Sequence, residues 1–236
     1  MAFKHGKDTK VFLNSTDLSS YLNNADATRT ADIAESTTFG KSAKTYLAGG
    51  KDGTITLAGF FDPTADSPIQ TNLGSTGQEL VMGIDGVDAT DSVTFGKGNF
   101  TTYGISSPVG DIVAFSADFQ SDEGIFNGTV LENATVTATG SGTARDNASS
   151  TGNGGGAFII VTSASGTSPT LDAKITHSAD NSTYADLVTF TQATTATSEV
   201  KTVAKGTTVN RYLKVEYTVS GSTPSFAVII GFGRNN

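Results

Sequence analysis

Strict alternation between apolar and polar side chains is the feature that most limits what this chain can become. Val113, Phe115, Ala117 and Phe119 alternate with Ala114, Ser116, Asp118 and Gln120. Leu213, Val215, Tyr217 and Val219 alternate with Tyr212, Lys214, Glu216 and Thr218. A period of two sends the two sets to opposite faces of a pleated strand, so both stretches read as half-buried β-strands. The pattern recurs from Ala25 to Ile33, where Ala25, Ala27, Ala31 and Ile33 interleave with Asp26, Thr28, Thr30 and Asp32. From Gly53 to Phe61, Ile55 and Leu57 interleave with Thr54 and Thr56. Ser121-Asp-Glu-Gly124 is a turn that folds the stretch from Gly110 to Val136 into a hairpin. Helical signals are few: one turn over Asp17–Leu22 capped by Asp17 or Thr16, and short segments around Ser67–Leu73 and Gly77–Met82, punctuated by Gly74 and Gly83. The chain is therefore predicted to be mainly β, with one or two short helices.

The stretch from Ala138 to Gly156 holds no large apolar residue. Such a segment buries too little surface to offset its ordering entropy, so residues 139–156 read as a flexible linker. It divides an N-terminal β-sandwich or barrel domain (1–138) from a C-terminal domain (157–236). Six strand candidates fill the latter: Ala157–Ser163, Leu171–Ser178, Ala185–Gln192, Ser198–Val203, Arg211–Val219 and Ser225–Phe232. Short strands at this spacing predict a small β-sandwich of jelly-roll or immunoglobulin-like type.

Composition removes several chemistries. There is no cysteine among the 236 residues, hence no disulfide, thiolate metal site or cysteine nucleophile. The two histidines, His5 and His177, fall in different predicted domains, which disfavours a histidine metal cluster or a triad. His177 continues the alternation of Leu171, Ala173 and Ile175 and reads as a strand residue at a sheet end. Gly152-Asn-Gly-Gly-Gly156 lacks the strand before it and the helix after it that a phosphate loop needs. Asp85, Asp88 and Asp91 lack the terminal glutamate of a calcium-binding hand and read as a solvated turn. No cofactor and no enzymatic activity are expected. No apolar run is long enough for a membrane span, and the start, Met1-Ala-Phe-Lys-His-Gly, lacks the apolar core of a signal peptide, so a product of the cytoplasm is expected. The formal net charge of −8 is uneven: residues 1–142 hold 8 Lys/Arg against 17 Asp/Glu, and residues 143–236 hold 7 against 6. An acidic N-terminal part argues against gripping nucleic acid.

Four stretches carry a family likeness: Asp17-Leu-Ser-Ser-Tyr-Leu22; Phe39-Gly-Lys-Ser-Ala-Lys-Thr-Tyr46; Asp52-Gly-Thr-Ile-Thr-Leu-Ala-Gly-Phe60; and Ser106-Ser-Pro-Val-Gly-Asp-Ile-Val-Ala-Phe-Ser-Ala-Asp-Phe-Gln120. With them, the region from about Lys10 to Val136 resembles the major tail tube proteins of long-tailed (siphovirus-type) bacteriophages. The resemblance implies hexameric rings stacked into a tube through which DNA leaves the capsid, each subunit lending about four strands to a shared inner barrel. It also implies tape measure and tail-end proteins as partners, and residence in the virion tail after assembly in the host cytoplasm. An added C-terminal surface domain occurs in such proteins. Twenty-four strands at about 4.8 Å spacing and about 40° tilt give a backbone diameter of roughly 45–50 Å.

On this reading the polar faces Asp26/Thr28/Thr30/Asp32, Asp52/Thr54/Thr56 and Ser116/Asp118/Gln120 line the bore; the alternative is that they meet outer solvent. The loop from Phe39 to Gly50 is the candidate for contact between rings, with Lys41, Lys44 and Lys51 as charges and Phe39, Tyr46 and Leu47 as apolar anchors. The C-terminal domain, with its Ser178–Tyr184 turn and Arg211–Tyr217 strand, resembles jelly-roll modules and allows a weak glycan contact. The rival reading is a capsid decoration protein or a glycan-binding adhesin.

Overall fold

The computed structural model describes residues 5–235. Fourteen strands and one α-helix follow in order: β1 (Lys10–Leu13), β2 (Thr16–Asp17), β3 (Leu22–Glu35), β4 (Tyr46–Phe60), α1 (Pro63–Thr71), β5 (Gln78–Gly83), β6 (Ser92–Ser106), β7 (Ala114–Ser121), β8 (Phe126–Val136), β9 (Gly140–Ser141), β10 (Arg145–Asp146), β11 (Gly155–Ser178), β12 (Ala185–Thr189), β13 (Thr197–Val203) and β14 (Tyr212–Arg234). The architecture is mainly β, antiparallel throughout its strand ladders, and consistent with a β-sandwich. The chain forms two compact units, and the boundary between them is not the one the composition suggests.

The first unit comprises residues 5–20, 79–95 and 126–235 of the described chain. Its spine is the antiparallel pair β11–β14, in register from Gly155 opposite Arg234 to Ser178 opposite Tyr212. Ala157-Phe-Ile-Ile-Val161 is buried on both faces. Ala157, Ile159 and Val161 enter one core with Leu131, Phe226, Ile230 and Phe232. Phe158 and Ile160 enter a second with Phe12, Val93, Phe95 and Phe126. A central strand of a layered β structure has to be apolar at every position, which is why this run does not alternate. Beyond a bulged middle section the second half of the pair, Leu171–Ser178 with Tyr212–Val219, alternates again and continues the first core. β8 flanks the far half of β14, while β9 and β10 flank its near half.

The predicted linker is therefore not a linker. Gly140–Ser141 pairs with Glu216 and Tyr217, and Arg145–Asp146 pairs with Tyr212 and Leu213. Arg211 donates to both oxygens of Asp146 at 2.6 Å, and this ion pair holds the Asp146 carboxyl down to about 2. Arg234 donates to the carbonyl of Val209 at 2.7 Å and to that of Asn210, while Thr151 bridges Val209. The glycines serve close packing. A Cβ on Gly156 would lie 2.5 Å from the Phe126 ring, and one on Gly231 would lie 2.3 Å from that of Phe158. Small residues there let rings seat against backbone. Residues 5–138 and 157–235 are accordingly not separate bodies: β8 pairs directly with β14, and the Val200 N–H donates to Glu79.

Two local expectations also change. Gln78–Gly83 is a strand rather than a helix, because it pairs with β1 and buries Leu80, Val81 and Met82. The turn after Asp17 is a 3₁₀ turn over Ser19–Tyr21, with the Asp17 carboxylate accepting the Ser19 N–H at 2.8 Å. Glu79, the one buried carboxylate among the described residues, accepts the Val200 N–H at 2.9 Å and the Ser198 hydroxyl. Its lone pairs are occupied by structure. His177 sits one residue from the end of β11, as its alternation predicts, and its Nδ1 accepts the Asn210 N–H at 3.1 Å. Burial, helped by the charge of Arg234, lowers its pKa.

The second unit comprises residues 21–78 and 96–125. It is a four-stranded antiparallel sheet in the order β3–β4–β7–β6, the last strand contributing residues 98–106. Helix α1 starts where Asp62 caps the Thr64 N–H at 2.8 Å and Pro63 presets the first turn, and it buries Ala65 and Ile69. The Tyr103 hydroxyl donates to Asp66 of this helix.

Gly156→Ala is predicted to destabilise the protein by about 1–3 kcal/mol through overpacking against Phe126, whereas Gly152→Ala, where a Cβ meets nothing within 4 Å, should be near neutral. Thermal denaturation of the two variants checks this; equal midpoints would return the segment to linker status.

Candidate self-assembly surface

The sheet of the second unit has two unlike faces, and the register places every residue on them. On one face Ala25, Leu57, Ala117 and Tyr103 form one cross-strand row, and Ala27, Ile55, Phe119 and Phe100 another. Ile55, Leu57, Phe100 and Phe119 are fully buried. On the other face Asp26, Thr56, Asp118 and Thr102 form a row, flanked by Thr28, Thr54, Gln120 and Asn99. Thr30 stands opposite Asp52, and Ser116 opposite Ala58. Nine of the ten residues assigned from the sequence to one polar face are thus brought together. The tenth, Asp32, lies at a bulge between Ala31 and Ile33, with its Cβ 3.0 Å from where a Cβ on Gly49 would be.

This polar face is a hydrogen-bonded network. Asp118 accepts from the Thr56 hydroxyl at 2.8 Å and from the Thr102 hydroxyl at 2.6 Å. Gln120 donates to Asp52 at 2.6 Å. Asn24 donates to Asp26 at 2.7 Å. The hydroxyl of Thr102, then that of Thr56, hold the Asp118 carboxyl below its ordinary range. Across these rows three carboxylates are accompanied by hydroxyls and amides and by no Lys or Arg. Hydroxyls orient a carboxylate without neutralising it, so the face carries no counter-charge for its acids.

The edges of the sheet are open. β3 pairs with β4 alone among the described residues, and from Thr28 to Glu35 it is exposed on both faces. At the other edge Leu73 bridges to Phe100, which leaves residues 101–106 of β6 as the outer segment. β3 runs antiparallel to β4, β4 to β7 and β7 to β6. The two edge strands therefore point in opposite directions.

The predicted contact loop is shorter than its sequence suggests. β4 begins at Tyr46, opposite Glu35, and Leu47 stands opposite Ala34, so the hairpin tip is residues 36–45. Phe39 is fully exposed at that tip; Tyr46 and Leu47 are exposed on the strand. Lys44 is paired with Glu35 at 2.9 Å within the hairpin. Lys51 lies opposite Ala31, on the face away from Asp52. Sequence reasoning missed two parts of the surface. Strand β6, which supplies Thr102 and Asn99, is interrupted by Gly98 and Gly104 and shows no clean period. The β6–β7 turn carries Val109 fully in solvent and Ile112 exposed, and the signal for it is apolar residues sitting beside Pro108 and Gly110 in a turn. Among the described residues no group of three His, Asp or Glu side chains is placed to hold a metal ion, and no helix is long and apolar enough to cross a membrane.

No family model matches the chain, and no curated protein matches it. It is similar to a chain of the virion of a native gene transfer agent (GTA) particle, at 15% identity over 52% of this chain and 97% of that one, TM-score 0.46. A chain of the tail of an empty GTA particle, refined with C6 symmetry, matches at 16% identity over the same shares, TM-score 0.43. The SPP1 Dit (gp 19.1) protein, described as a hub adsorption apparatus of phages infecting Gram-positive bacteria, matches at 10% identity over 97% of this chain and 99% of that one, TM-score 0.40. All three scores lie below 0.5.

Because hydroxyl donors hold Asp118 ionised, its contribution to stability is present above about pH 4 and is lost as the pH falls through its lower folded-state value. Carboxyl-detected NMR titration should place Asp118 below an ordinary aspartate, and Thr102→Val should move it upward. An unchanged midpoint in Thr102→Val would remove the hydroxyl as the cause.

Proposed function

We propose that this chain is a non-enzymatic structural subunit of a bacteriophage tail, six copies closing into a ring and rings stacking into a tube that conducts DNA. The observation that carries the reading is the pair of oppositely directed open edges on one sheet. A neighbour's β6 laid beside β3 continues the antiparallel order without a fault, so identical copies can close into a barrel of which each supplies four strands. Closure also removes edges that otherwise template aggregation, and β3 carries no proline to blunt it. The number six comes from the tail tube resemblance.

The negative face fits the inside of such a barrel. Duplex DNA carries about one negative charge per 1.7 Å of axis, and a basic wall would hold it. A wall bearing Asp26, Asp52 and Asp118 among threonines offers water and hydrogen bonds but no counter-charge, so DNA passes without being gripped. On this reading the tape measure and tail-end proteins are the other partners.

A second, subordinate reading concerns the first unit. A groove of about 550 Å³ is lined by Thr139, Ser141, Asp172, Lys174, Glu216 and Tyr217, among others. Gln192 donates to both oxygens of Asp172, and Lys174 reaches Asp186 at 2.7 Å, so the polar groups are held in place. Paired donors and acceptors beside a ring suit saccharide hydroxyls. The rings of Tyr184 and Tyr212 are already covered by Lys214 and Arg211, which leaves Tyr217 as the platform.

Electron microscopy of the concentrated protein should show closed rings with a central channel, and hydrogen–deuterium exchange should show alternate amides of β3 becoming protected on assembly. Assemblies in which those amides stay fast would refute closure through this edge. Monomers or trimers that bind cell-wall glycan, with binding lost in Asp172→Ala, would favour the adhesin instead.

A further inference from the structure

The first unit has sheet edges of its own, and side chains occupy them. β13 pairs with β11 over Gly155–Val161, and β12 pairs with it over Lys174–His177. Beyond β12 the pairing with β11 runs on: Phe190 donates its N–H to the Ala173 carbonyl at 3.0 Å, and Ala193 bridges Leu171. Backbone groups of successive residues in a strand point to opposite sides. The C=O of Thr189 and the N–H of Thr191 are therefore turned away from β11, and both residues are exposed.

What meets those two groups is not backbone. Lys201 Nζ donates to the Thr189 carbonyl at 2.7 Å, and Glu199 accepts the Thr191 N–H at 2.7 Å and the Thr191 hydroxyl at 2.9 Å. Lys201 and Glu199 are themselves paired at 3.2 Å. A parallel strand laid along this segment would use the same two groups through one residue opposite Phe190, its N–H donating to the Thr189 C=O and its C=O accepting the Thr191 N–H. The ammonium substitutes for that N–H and the carboxylate for that C=O. β13 is treated alike. The Val200 N–H goes not to β11 but to Glu79 of β5, at 2.9 Å, and the Ser198 hydroxyl goes to the same carboxylate.

We propose that Glu79, Glu199 and Lys201 form an edge lock: they fill the strand-addition sites at Val200, Thr191 and Thr189, and so exclude the open β3 of a second copy from this side of the first unit. β3 is the strand to be excluded because it is fourteen residues long, carries no proline and pairs with β4 alone among the described residues. An unlocked edge would compete for that strand, and additions at two kinds of edge give branched aggregates instead of one repeating contact. The lock goes beyond the ring-forming reading, and rests on it only in taking β3 as the strand that adds.

Hydrogen–deuterium exchange and sizing of the full chain test this. The variants are Glu199→Ala with Lys201→Ala, and Glu199→Gln, whose amide oxygen can still accept the Thr191 N–H. In dilute samples the Thr191 amide should exchange about tenfold faster in the double variant than in the unaltered protein, and Glu199→Gln should keep it near the unaltered rate. On concentration the double variant should form broad high-mass species in which the Thr191 amide and the β3 amides both slow, while the unaltered protein shows no change at Thr191. Glu79→Ala repeats the test at Val200, with Glu79→Gln as its conservative partner; where Glu79→Ala does not fold, the half-exposed pair at 199 and 201 decides. A double variant whose Thr191 amide stays slow when dilute, or which assembles like the unaltered protein with that amide still fast, would overturn the lock. Slowing at Thr191 without slowing in β3 would overturn the occupant. β3 amides of the unaltered protein read ring closure separately, and their staying fast on assembly sinks the ring alone.

Discussion

Backbone hydrogen bonding at a sheet edge is the constraint on which the rest of this structure turns. Every second residue of an edge strand directs its N–H and C=O outward, and those groups need partners or water. In the first unit the long central strands β11 and β14 have partners on both sides: β12 and β13 flank β11, and β8, β9 and β10 flank β14. In the second unit the fourteen-residue β3 has a partner on one side only among the described residues. The central strands of the first unit are completed by the chain itself, whereas the long outer edge of β3 is where the proposed neighbour would add its strand.

The composition of each sheet follows from that difference. Ala157–Val161 is sandwiched between two cores, so it is apolar at every position and its neighbouring glycines admit the rings of Phe126 and Phe158. β3 is exposed on both sides and carries alanines and small polar residues with charges between them. The polar rows of the second unit are held by side-chain bonds between neighbouring strands, Thr56 and Thr102 to Asp118 and Gln120 to Asp52. Such pairs fix register where no packed core exists to do so.

Period two was the legible part of the fold. Within each strand it sorts Asp26, Thr28 and Thr30, Asp52, Thr54 and Thr56, and Ser116, Asp118 and Gln120 onto one side, because strand geometry leaves no other choice, and the register joins the three sets into one face. What that face meets is not written in a period. Residues 139–156 were misread for a physical reason: glycine signals both freedom and close approach, and only distant partners such as Tyr217, Arg211 and Arg234 decide between them. Gln78–Gly83 was misread because a short apolar run suits a helix or a buried strand equally, and its pairing with β1 lies more than sixty residues away in sequence. The unit boundary was hidden because β11 and β14 each join two apparent strands through a bulged middle, where Gly166, Ser168, Gly221 and Thr223 take positive φ.

The two hairpins of the second unit point away from each other along the strand direction. An object assembled from subunits with dissimilar tips has a front and a back. Its first layer has to be started by a component that mimics one tip, and its last layer presents the other to whatever closes it. An assembly joined through those two ends would grow vectorially, with distinct chemistry for initiation and termination.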